Sequence, residues 1–190
     1  MKPSTCKVCK GKYTRLKPLQ SVCSPGCAIA QLEQSKAKNA RRDKREQAQM
    51  DRAKREAMLT LPQLKAKAQT AFNAYIRARD MGKPCISCGK LLTAEPNTYD
   101  CGHFRSVGSA PHMRYVEDNA HGQCKHCNRH LAGNHVAYRK GLIERIGLKA
   151  VEHIEADQTV RKYTREGLIE IARYYREQAR VVRARVLESL

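Results

Sequence analysis

Two closely spaced pairs of cysteines constrain the fold of this 190-residue chain more than any other feature. Cys85 and Cys88 form the first Cys-x-x-Cys pair, and Cys124 and Cys127 form the second, with 35 residues between the pairs. Four thiolates at this spacing can bind one tetrahedral zinc ion and leave no coordination position for water. We therefore predict a structural zinc site that holds the two ends of this segment together.

Four further cysteines lie near the N-terminus. Gly and Pro residues between and beside them are typical of tight turns, so residues 1–30 are predicted to form a small zinc knuckle. Two interpretations remain open: a purely structural cap, and a finger whose basic side chains touch DNA phosphate. The cysteines are Cys6, Cys9, Cys23 and Cys27, and the basic residues are Lys7, Lys10, Lys12, Arg15 and Lys17.

The charge balance indicates a polyanionic partner. Lys and Arg number 37 against 18 Asp and Glu, which gives a net charge of +19. Nucleic acid is the first candidate, because basic side chains displace counterions from phosphates.

With two Phe and no Trp the apolar core is small, so metal binding has to add stability. The sequence has no apolar run of ~20 residues and no signal sequence. We therefore expect no membrane partner and a cytoplasmic location, where paired cysteines bind metal.

Residues 31–60 are predicted to form a basic helical arm. The composition from residue 28 to residue 58 shifts to strong helix formers, without Gly or Pro. Residues 36–55 hold nine basic and three acidic side chains. A helix that is polar on nearly every face is not a core element. It is either a solvated spacer or an arm that lies along a phosphate backbone, and the mostly one-signed charge favours the arm.

Apolar periodicity predicts three helices after the arm. The first begins near Thr60, buries one face and ends near Asp80. The second begins near residue 135 and ends at Gly147. The third begins near Thr164, whose hydroxyl can cap it, and carries an apolar stripe.

Polar residues between and just after the central cysteines are typical of a hydrolytic site. His103 is the best candidate for a general base, and it follows Gly102 on a short strand-like run. Strand alternation places Asp100 on the opposite side from His103. Asp100 can therefore bind a catalytic divalent ion, Mg²⁺ or Mn²⁺, near His103 only if the ion sits at the end of the strand or a bend brings the two residues together. The amide oxygen of Asn128 is a second candidate ligand of the same ion. Asn119 is expected to orient His103 through hydrogen bonds.

Each of these residues also has a simpler interpretation. His103 fits a structural histidine, Asp100 a turn residue, and Asn128 the N-cap of a helix. Cys101 is the one cysteine outside the two sets of four. It is either a buried thiol beside the site or an additional metal neighbour.

The sequence resembles the phage lambda NinG (Rap) family of recombination proteins over nearly its whole length. The resemblance covers the N-terminal cysteines, the basic helix and AQTAFNAYIRARD, and it is most specific in CGHFRSVG and HGQCKHCNRHLAGNHVAYRKGL. It implies a structure-specific endonuclease that acts on branched DNA such as D-loops and Holliday junctions. It also implies a location in the bacterial host cell and other phage recombination proteins as further partners.

A more distant likeness is to endonuclease VII, a zinc-stabilised HNH enzyme. This likeness implies that His103 is the base and that Asn128 is a ligand of the catalytic metal. Gly102 stands where that enzyme has an Asp ligand, and Asp100 is the candidate replacement.

The expected fold is α+β and mostly helical. A small ββα-metal core of the HNH-like, treble-clef type is expected in residues 61–148, flanked by long helices. Residues 149–190 form the expected C-terminal helical region, and the four-cysteine knuckle lies at the N-terminus. DNA contacts are expected from basic side chains of the arm and the core, namely Arg41, Arg42, Lys44, Arg45, Arg105, Arg114, Lys125, Arg129 and Arg139.

Two functions remain open from the sequence. One is a Mg²⁺- or Mn²⁺-dependent endonuclease, for which we expect a homodimer because a resolvase must cut two strands symmetrically. The other is a non-catalytic DNA-binding accessory protein of recombination. A zinc deaminase does not fit, because its H-x-E precedes P-C-x-x-C, whereas His153-Ile-Glu155 follows Cys88.

Overall fold

The computed structural model describes residues 3–95 and 97–188, the last three by their backbone only. The chain divides into two units, Met1–Leu59 and Thr60–Leu190. Both are mostly helical, and each carries one two-stranded antiparallel sheet. Within the described ranges, no helix combines the length and the apolar character that a membrane crossing needs.

The first unit is a small hairpin followed by one long helix. Strands β1 (Ser4–Thr5) and β2 (Lys12–Tyr13) pair antiparallel, and helix α1 runs from Pro25 to Ala57. The side chain of Ser24 caps α1 by accepting a hydrogen bond of 3.2 Å from the Cys27 amide. No residue of α1 is buried, as expected for a helix that is polar on nearly every face.

Helices α2 (Leu61–Arg79) and α5 (Arg165–Glu188) pack along each other in the second unit. Thr60 and Gln63 form a reciprocal capping box at the start of α2. Phe72 of α2 and Tyr175 of α5 meet edge to face, with ring centroids 4.9 Å apart. The predicted apolar faces of both helices are therefore buried against each other.

The second sheet lies between this helix pair and a second apolar cluster. Strands β3 (Tyr99–His103) and β4 (Ala120–Cys124) are antiparallel. Helices α3 (His135–Ile146) and α4 (Leu148–Ala156) follow in the chain. Apolar residues from the loops and from these two helices form the cluster, which contains Ile86, Phe104, Ala110, Met113, Tyr138, Leu142, Val151 and Ile154.

Three helix ends in the structure agree with those predicted from the sequence. Helix α2 ends at Arg79, directly before Asp80. Helix α3 ends at Ile146, directly before the C-cap Gly147, whose φ of 85° suits glycine. The Thr164 hydroxyl accepts a hydrogen bond from the Gly167 amide in the first turn of α5. Helix α4, which begins directly after Gly147, was not predicted.

The domain boundaries compare as follows with the two units. The predicted boundary between residues 60 and 61 lies one residue from the division after Leu59. The predicted knuckle and arm are joined, because α1 already begins at Pro25. The described part of the predicted region 149–190 belongs to the second unit, since α5 packs on α2. Residues 189 and 190 lie outside the described residues.

Candidate functional site

The N-terminal cysteines converge as predicted. Ligand sulfurs of Cys6, Cys9, Cys23 and Cys27 all lie within 4.8 Å of one another. The Cys23 sulfur is 3.6 Å from that of Cys9 and 3.6 Å from that of Cys27. Four sulfurs at this separation fit the tetrahedral shell of a zinc ion.

The central cysteines form a second cluster of the same kind. The sulfurs of Cys85, Cys88, Cys124 and Cys127 lie within 4.8 Å of one another. Three N–H groups point at these sulfurs: the Cys124 amide at Cys85, 3.3 Å; the Cys127 amide at Cys124, 3.5 Å; and Asn134 Nδ2 at Cys127, 3.6 Å. Such donors orient metal ligands and stabilise thiolate charge. Both clusters are therefore suited to structural zinc.

A π-helical turn, His126–His130, carries the last cysteine and the polar residues after it. The Leu131 amide donates to the His126 carbonyl at 3.0 Å, the five-residue spacing of a π-turn. Asn128 lies in the middle of this turn, and Lys125 is its N-cap. The alternative interpretation of Asn128 as a helix N-cap is therefore wrong.

Asp100 and Asn128 are brought together on one side of β3. Asn128 Nδ2 donates to Asp100 Oδ2 at 3.1 Å. Arg129 binds the same carboxylate through both oxygens, at 2.7 and 2.9 Å. Burial acts to raise the pKa of Asp100, but the hydrogen bonds from Arg129 and Asn128 prevail and lower it below its ordinary value. Asp100 is thus an ionised strand residue that pairs with Arg129 and Asn128, and not a simple turn residue.

His103 lies at the end of β3, on the opposite face from Asp100. Its ring packs beside Phe72 of α2, with centroids 5.8 Å apart, and its Nε2 lies 3.0 Å from the Arg114 carbonyl. Because a carbonyl only accepts, Nε2 carries the proton and the lone pair of the neutral ring is on Nδ1. Burial lowers the pKa of His103, so the ring is neutral at pH 7.

The structure therefore brings Asp100 and Asn128 together and separates His103 from them. Tyr99 and His103 both contact α2, whereas Asp100 contacts the π-helical turn. The backbone rise of a strand separates the Cα atoms of Asp100 and His103 by about 10 Å. This is the alternation expected from the sequence.

Asn119 braces the connection between the two strands. It is buried, and its Oδ1 accepts from the Arg105 amide at 2.8 Å. Its Nδ2 donates to the carbonyls of Arg105 and Met113, at 3.0 and 3.2 Å. These bonds fix the backbone on both sides of the loop whose Arg114 carbonyl receives His103, which is the bracing geometry expected of this residue.

Cys101 contacts neither cluster through its sulfur in the described structure. It lies outside both groups of four and shares the α2 side of β3 with His103. Burial raises the pKa of Cys101 to about 12. It is therefore a thiol, which agrees with the first of the two interpretations of this residue.

The nine residues expected to contact DNA differ in how exposed they are and in whether they already bind groups of the protein. The four arm residues, Arg41, Arg42, Lys44 and Arg45, are exposed. Arg129 is also exposed but pairs with Asp100, and Lys125 is half-buried. The other three are engaged within the protein: Arg105 donates to the Ile154 and Asp157 carbonyls, Arg114 to Gln69, and Arg139 to Glu155.

Gln123 was missed by the sequence analysis. It is 1% exposed and lies directly across from Asp100 in the ladder. Its Nε2 donates to Ser87 Oγ at 2.8 Å and to the Gly133 carbonyl at 2.6 Å. Its Oε1 is buried and has no hydrogen-bond partner among the described residues. Only the register of the two strands, which the sequence does not give, shows that this residue faces the candidate site.

Asp80 was recognised only as the end of a helix. Its carboxylate is fully buried and accepts from the Gly122 amide of β4 at 2.8 Å. It also pairs with Arg79 at 2.9 Å and with Lys83 at 3.1 Å. Asp80 thus joins the end of α2 to the middle of the second strand.

Comparison with known proteins places the chain in a phage family. Residues 1–185 match the family described as Bacteriophage Lambda NinG protein. The Protein ninG of Salmonella phage P22 is 46% identical over 116 residues, which are 61% of this chain and 56% of that relative. The Protein ninG of Escherichia phage lambda is 44% identical over 116 residues, 61% of this chain and 55% of the relative.

The aligned segment spans just over half the length of these relatives. No solved structure is significantly similar to the chain. The family match covers nearly the whole sequence, including both cysteine clusters and the π-helical turn between β4 and α3. The chain therefore belongs to the NinG family of lambdoid phages.

Proposed function

We propose that this protein is a metal-dependent endonuclease that cleaves branched DNA during phage recombination. In this proposal the central zinc cluster is structural, in an HNH-like core. Asp100 and Asn128 hold a catalytic Mg²⁺ or Mn²⁺ ion, and His103 acts as the general base.

The observation that carries the proposal is the pairing of Asp100 with Asn128 beside the closed cysteine cluster. Carboxylate and amide oxygens are ligands that Mg²⁺ prefers. Against the effect of burial, the hydrogen bonds from Arg129 and Asn128 keep the pKa of Asp100 below its ordinary value, so the carboxylate is charged and has to exchange Arg129 for the ion. Asn128 presents Nδ2 to Asp100 at 3.1 Å, so a rotation of its amide is needed to present the oxygen. A bound divalent ion would supply stabilisation of charge on the phosphate and the leaving oxygen.

Arg129 has two roles in this proposal. Its guanidinium pairs with Asp100 but is 58% exposed, so it can leave the carboxylate without unfolding a core contact. An arginine released in this way is suited to bind a DNA phosphate through two parallel hydrogen bonds. Arg129 thus competes with the ion in the absence of DNA and contributes to DNA binding in its presence.

His103 has the protonation state that a base requires. It is neutral at pH 7, with the lone pair on Nδ1, because burial lowers its pKa and the Arg114 carbonyl fixes the tautomer. As the last residue of β3 it lies at an end of the strand, and the proposal requires the phosphodiester to reach this end, because His103 and Asp100 point to opposite faces. Asn119 holds the loop that positions the Arg114 carbonyl.

Branched DNA is proposed as the substrate because the chain is strongly basic without an evident base-reading element. Phosphate contacts position a protein on DNA but carry no sequence information. A net charge of +19 and the exposed arginines of α1 therefore favour recognition of shape.

The test is nicking of a synthetic four-way junction by zinc-loaded protein with and without Mg²⁺. We expect Mg²⁺-dependent cleavage that falls about 10²- to 10⁴-fold in His103→Ala and also falls in Asp100→Asn. The exposed His126→Ala is the matched control and should cleave normally. Junction binding without any Mg²⁺-dependent cleavage would contradict the proposal.

The ion pair between Arg129 and Asp100 favours a second candidate function. Arg129 satisfies both oxygens of Asp100 at 2.7 and 2.9 Å, so this face is electrostatically balanced without an ion. A non-catalytic DNA-binding protein of recombination needs nothing more. The same junction assay separates the two, because this candidate binds the junction and leaves it uncut.

A further inference from the structure

We propose that Gln123 supplies a third oxygen ligand to the divalent ion, through its Oε1 over Gly102. The inference rests on the proposed function, since it assumes an ion at Asp100 and Asn128. It assigns a role to a residue that otherwise looks like a buried structural glutamine.

The register of the sheet places Gln123 beside Asp100. The two residues are direct partners in the antiparallel ladder, so their side chains share one face, with Cβ atoms about 4.5 to 5.5 Å apart. Asn128 reaches the same face from the π-helical turn. Three side chains that carry oxygen therefore lie on this side of the hairpin.

The orientation of the Gln123 amide is fixed by its neighbours. Nε2 lies 2.6 Å from the Gly133 carbonyl, and because a carbonyl only accepts, the nitrogen must face it. Oε1 therefore points the other way, toward Gly102. A Cβ on Gly102 would lie 2.2 Å from Oε1, so the oxygen fills the volume that a side chain at position 102 would occupy.

Oε1 is a buried acceptor that has no hydrogen-bond partner among the described residues. Buried polar atoms are nearly always satisfied, and an exception calls for an explanation such as an ion. Here the unsatisfied oxygen belongs to a side chain that is 1% exposed and lies on the face that carries a carboxylate. A divalent cation would satisfy it.

The same geometry moves the ion along β3, on the face opposite His103. Gly102 directly precedes His103, whereas Asp100 lies three residues away along the strand. An ion shared by Asp100 and Gln123 Oε1 is thus drawn toward the end of β3. One carboxylate and two amide oxygens form a hard donor set for Mg²⁺, Mn²⁺ or Ca²⁺.

The experiment measures Mn²⁺ binding by electron paramagnetic resonance on zinc-loaded full-length protein without DNA. Gln123→Met keeps the shape and loses the oxygen, and we expect its Mn²⁺ affinity to fall at least about tenfold. Ser87→Ala is the matched control, because it removes a partner of Nε2 and leaves Oε1 in place. Its Mn²⁺ affinity should be that of the wild type, with zinc content measured in parallel.

A reciprocal exchange tests the position of the oxygen. Gly102→Asp collides with Gln123, and Gln123→Ala removes the ligand, so each change alone should weaken Mn²⁺ binding. The double variant places a carboxylate in the vacated volume and should bind Mn²⁺ better than either single variant. A double variant that binds no better than Gln123→Ala would overturn the inference.

The outcomes separate this inference from the proposed function. Absence of Mn²⁺ binding both by the wild type and by Arg129→Ala, in which the competing guanidinium is removed, overturns the divalent site and the metal-dependent function with it. Binding by the wild type that is unchanged in Gln123→Met overturns only the role of Gln123. If the Met variant loses zinc or fails to fold, Gln123→Leu replaces it as a second variant without the oxygen. That variant should also bind Mn²⁺ at least about tenfold more weakly, and an affinity equal to that of the wild type counts against the inference.

Discussion

Each of the two cysteine clusters contains four sulfurs, but the clusters have different surroundings. In the N-terminal unit, Cys9 and Cys23 are exposed, and the buried apolar residues of the described part are Cys6 and Val22. In the second unit, Cys85, Cys124 and Cys127 are buried together with Leu92 and Tyr99.

This difference indicates what a zinc ion in each cluster would do for its unit. The N-terminal knuckle has almost no apolar core, so its fold depends on metal binding nearly alone. The central cluster is embedded in a packed body, where it fixes the ends of a hairpin and a π-helical turn. The first cluster supports its own small fold, whereas the second also fixes the turn that brings Asn128 and Arg129 to Asp100.

The largest expected effect is the loss of one ligand in either cluster. Cys124→Ser should remove a zinc-binding free energy of about 10 kcal/mol and expose the amides of β3 and β4 to hydrogen exchange. Cys23→Ser should lose zinc equally but leave exchange in the second sheet unchanged. Zinc content and site-resolved hydrogen exchange measure both effects. Faster exchange of β3 and β4 in Cys23→Ser would break the comparison.

The next largest effect concerns the buried carboxylate behind the second sheet. Asp80→Asn should lower the free energy of unfolding by about 3 to 5 kcal/mol, because Arg79 loses a buried partner. Burial acts to raise the pKa of Asp80, yet the bonds to Arg79 lower it well below the ordinary value. Its contribution is therefore present above about pH 4 and is lost as the pH falls further. Urea unfolding measures the change.

The exposed Asp118→Asn is the matched control for Asp80. It should change the unfolding free energy by less than about 0.5 kcal/mol. Equal effects of the two substitutions would show that Asp80 does not join α2 to the hairpin.

A pH-dependent effect of intermediate size is expected from His121. Burial lowers the pKa of His121 to about 3, so the unfolded chain takes up a proton below about pH 6.5 and the folded chain does not. Stability should fall by about 1.4 kcal/mol for each pH unit below 6.5. His121→Gln should flatten this slope between pH 6.5 and 5, measured by urea unfolding. The exposed His126→Gln should leave it unchanged, and a slope that persists in His121→Gln contradicts the assignment.

The smallest effect on stability is expected from the arm. Replacing Arg41, Arg42, Lys44 and Arg45 by Ala should change the unfolding free energy by less than about 0.5 kcal/mol each. Each lost phosphate contact should reduce the slope of log affinity against log salt by about 0.9. Filter binding to a four-way junction at several salt concentrations measures the slope. Asn39→Ala on the same helix is the uncharged control, and equal slopes for all variants would make α1 a spacer.

The sequence was informative where short-range chemistry decides the structure. The spacing of Cys85, Cys88, Cys124 and Cys127 predicted a cluster, because four sulfurs have one common use in a reducing environment. Thr60 and Gly147 marked helix ends through capping chemistry that acts over three or four residues.

The sequence was uninformative where segments that lie far apart in the chain meet in the fold. Gln123 faces Asp100 only through the strand register, which a shift of one residue would reverse. The carboxylate of Asp80 looked like a helix end because its partner Gly122 is 42 positions away. Asn128 was placed at a helix start because the turn that carries it has an extra residue, which local propensity does not reveal.

The extra residue of the π-helical turn sets the direction in which the side chains after it point. An ordinary α-helical turn would shift each following side chain by about 100° about the axis. Asn134, whose amide donates to the Cys127 sulfur, would then meet the cysteine cluster from a different direction. The length of this turn therefore carries as much information as its composition.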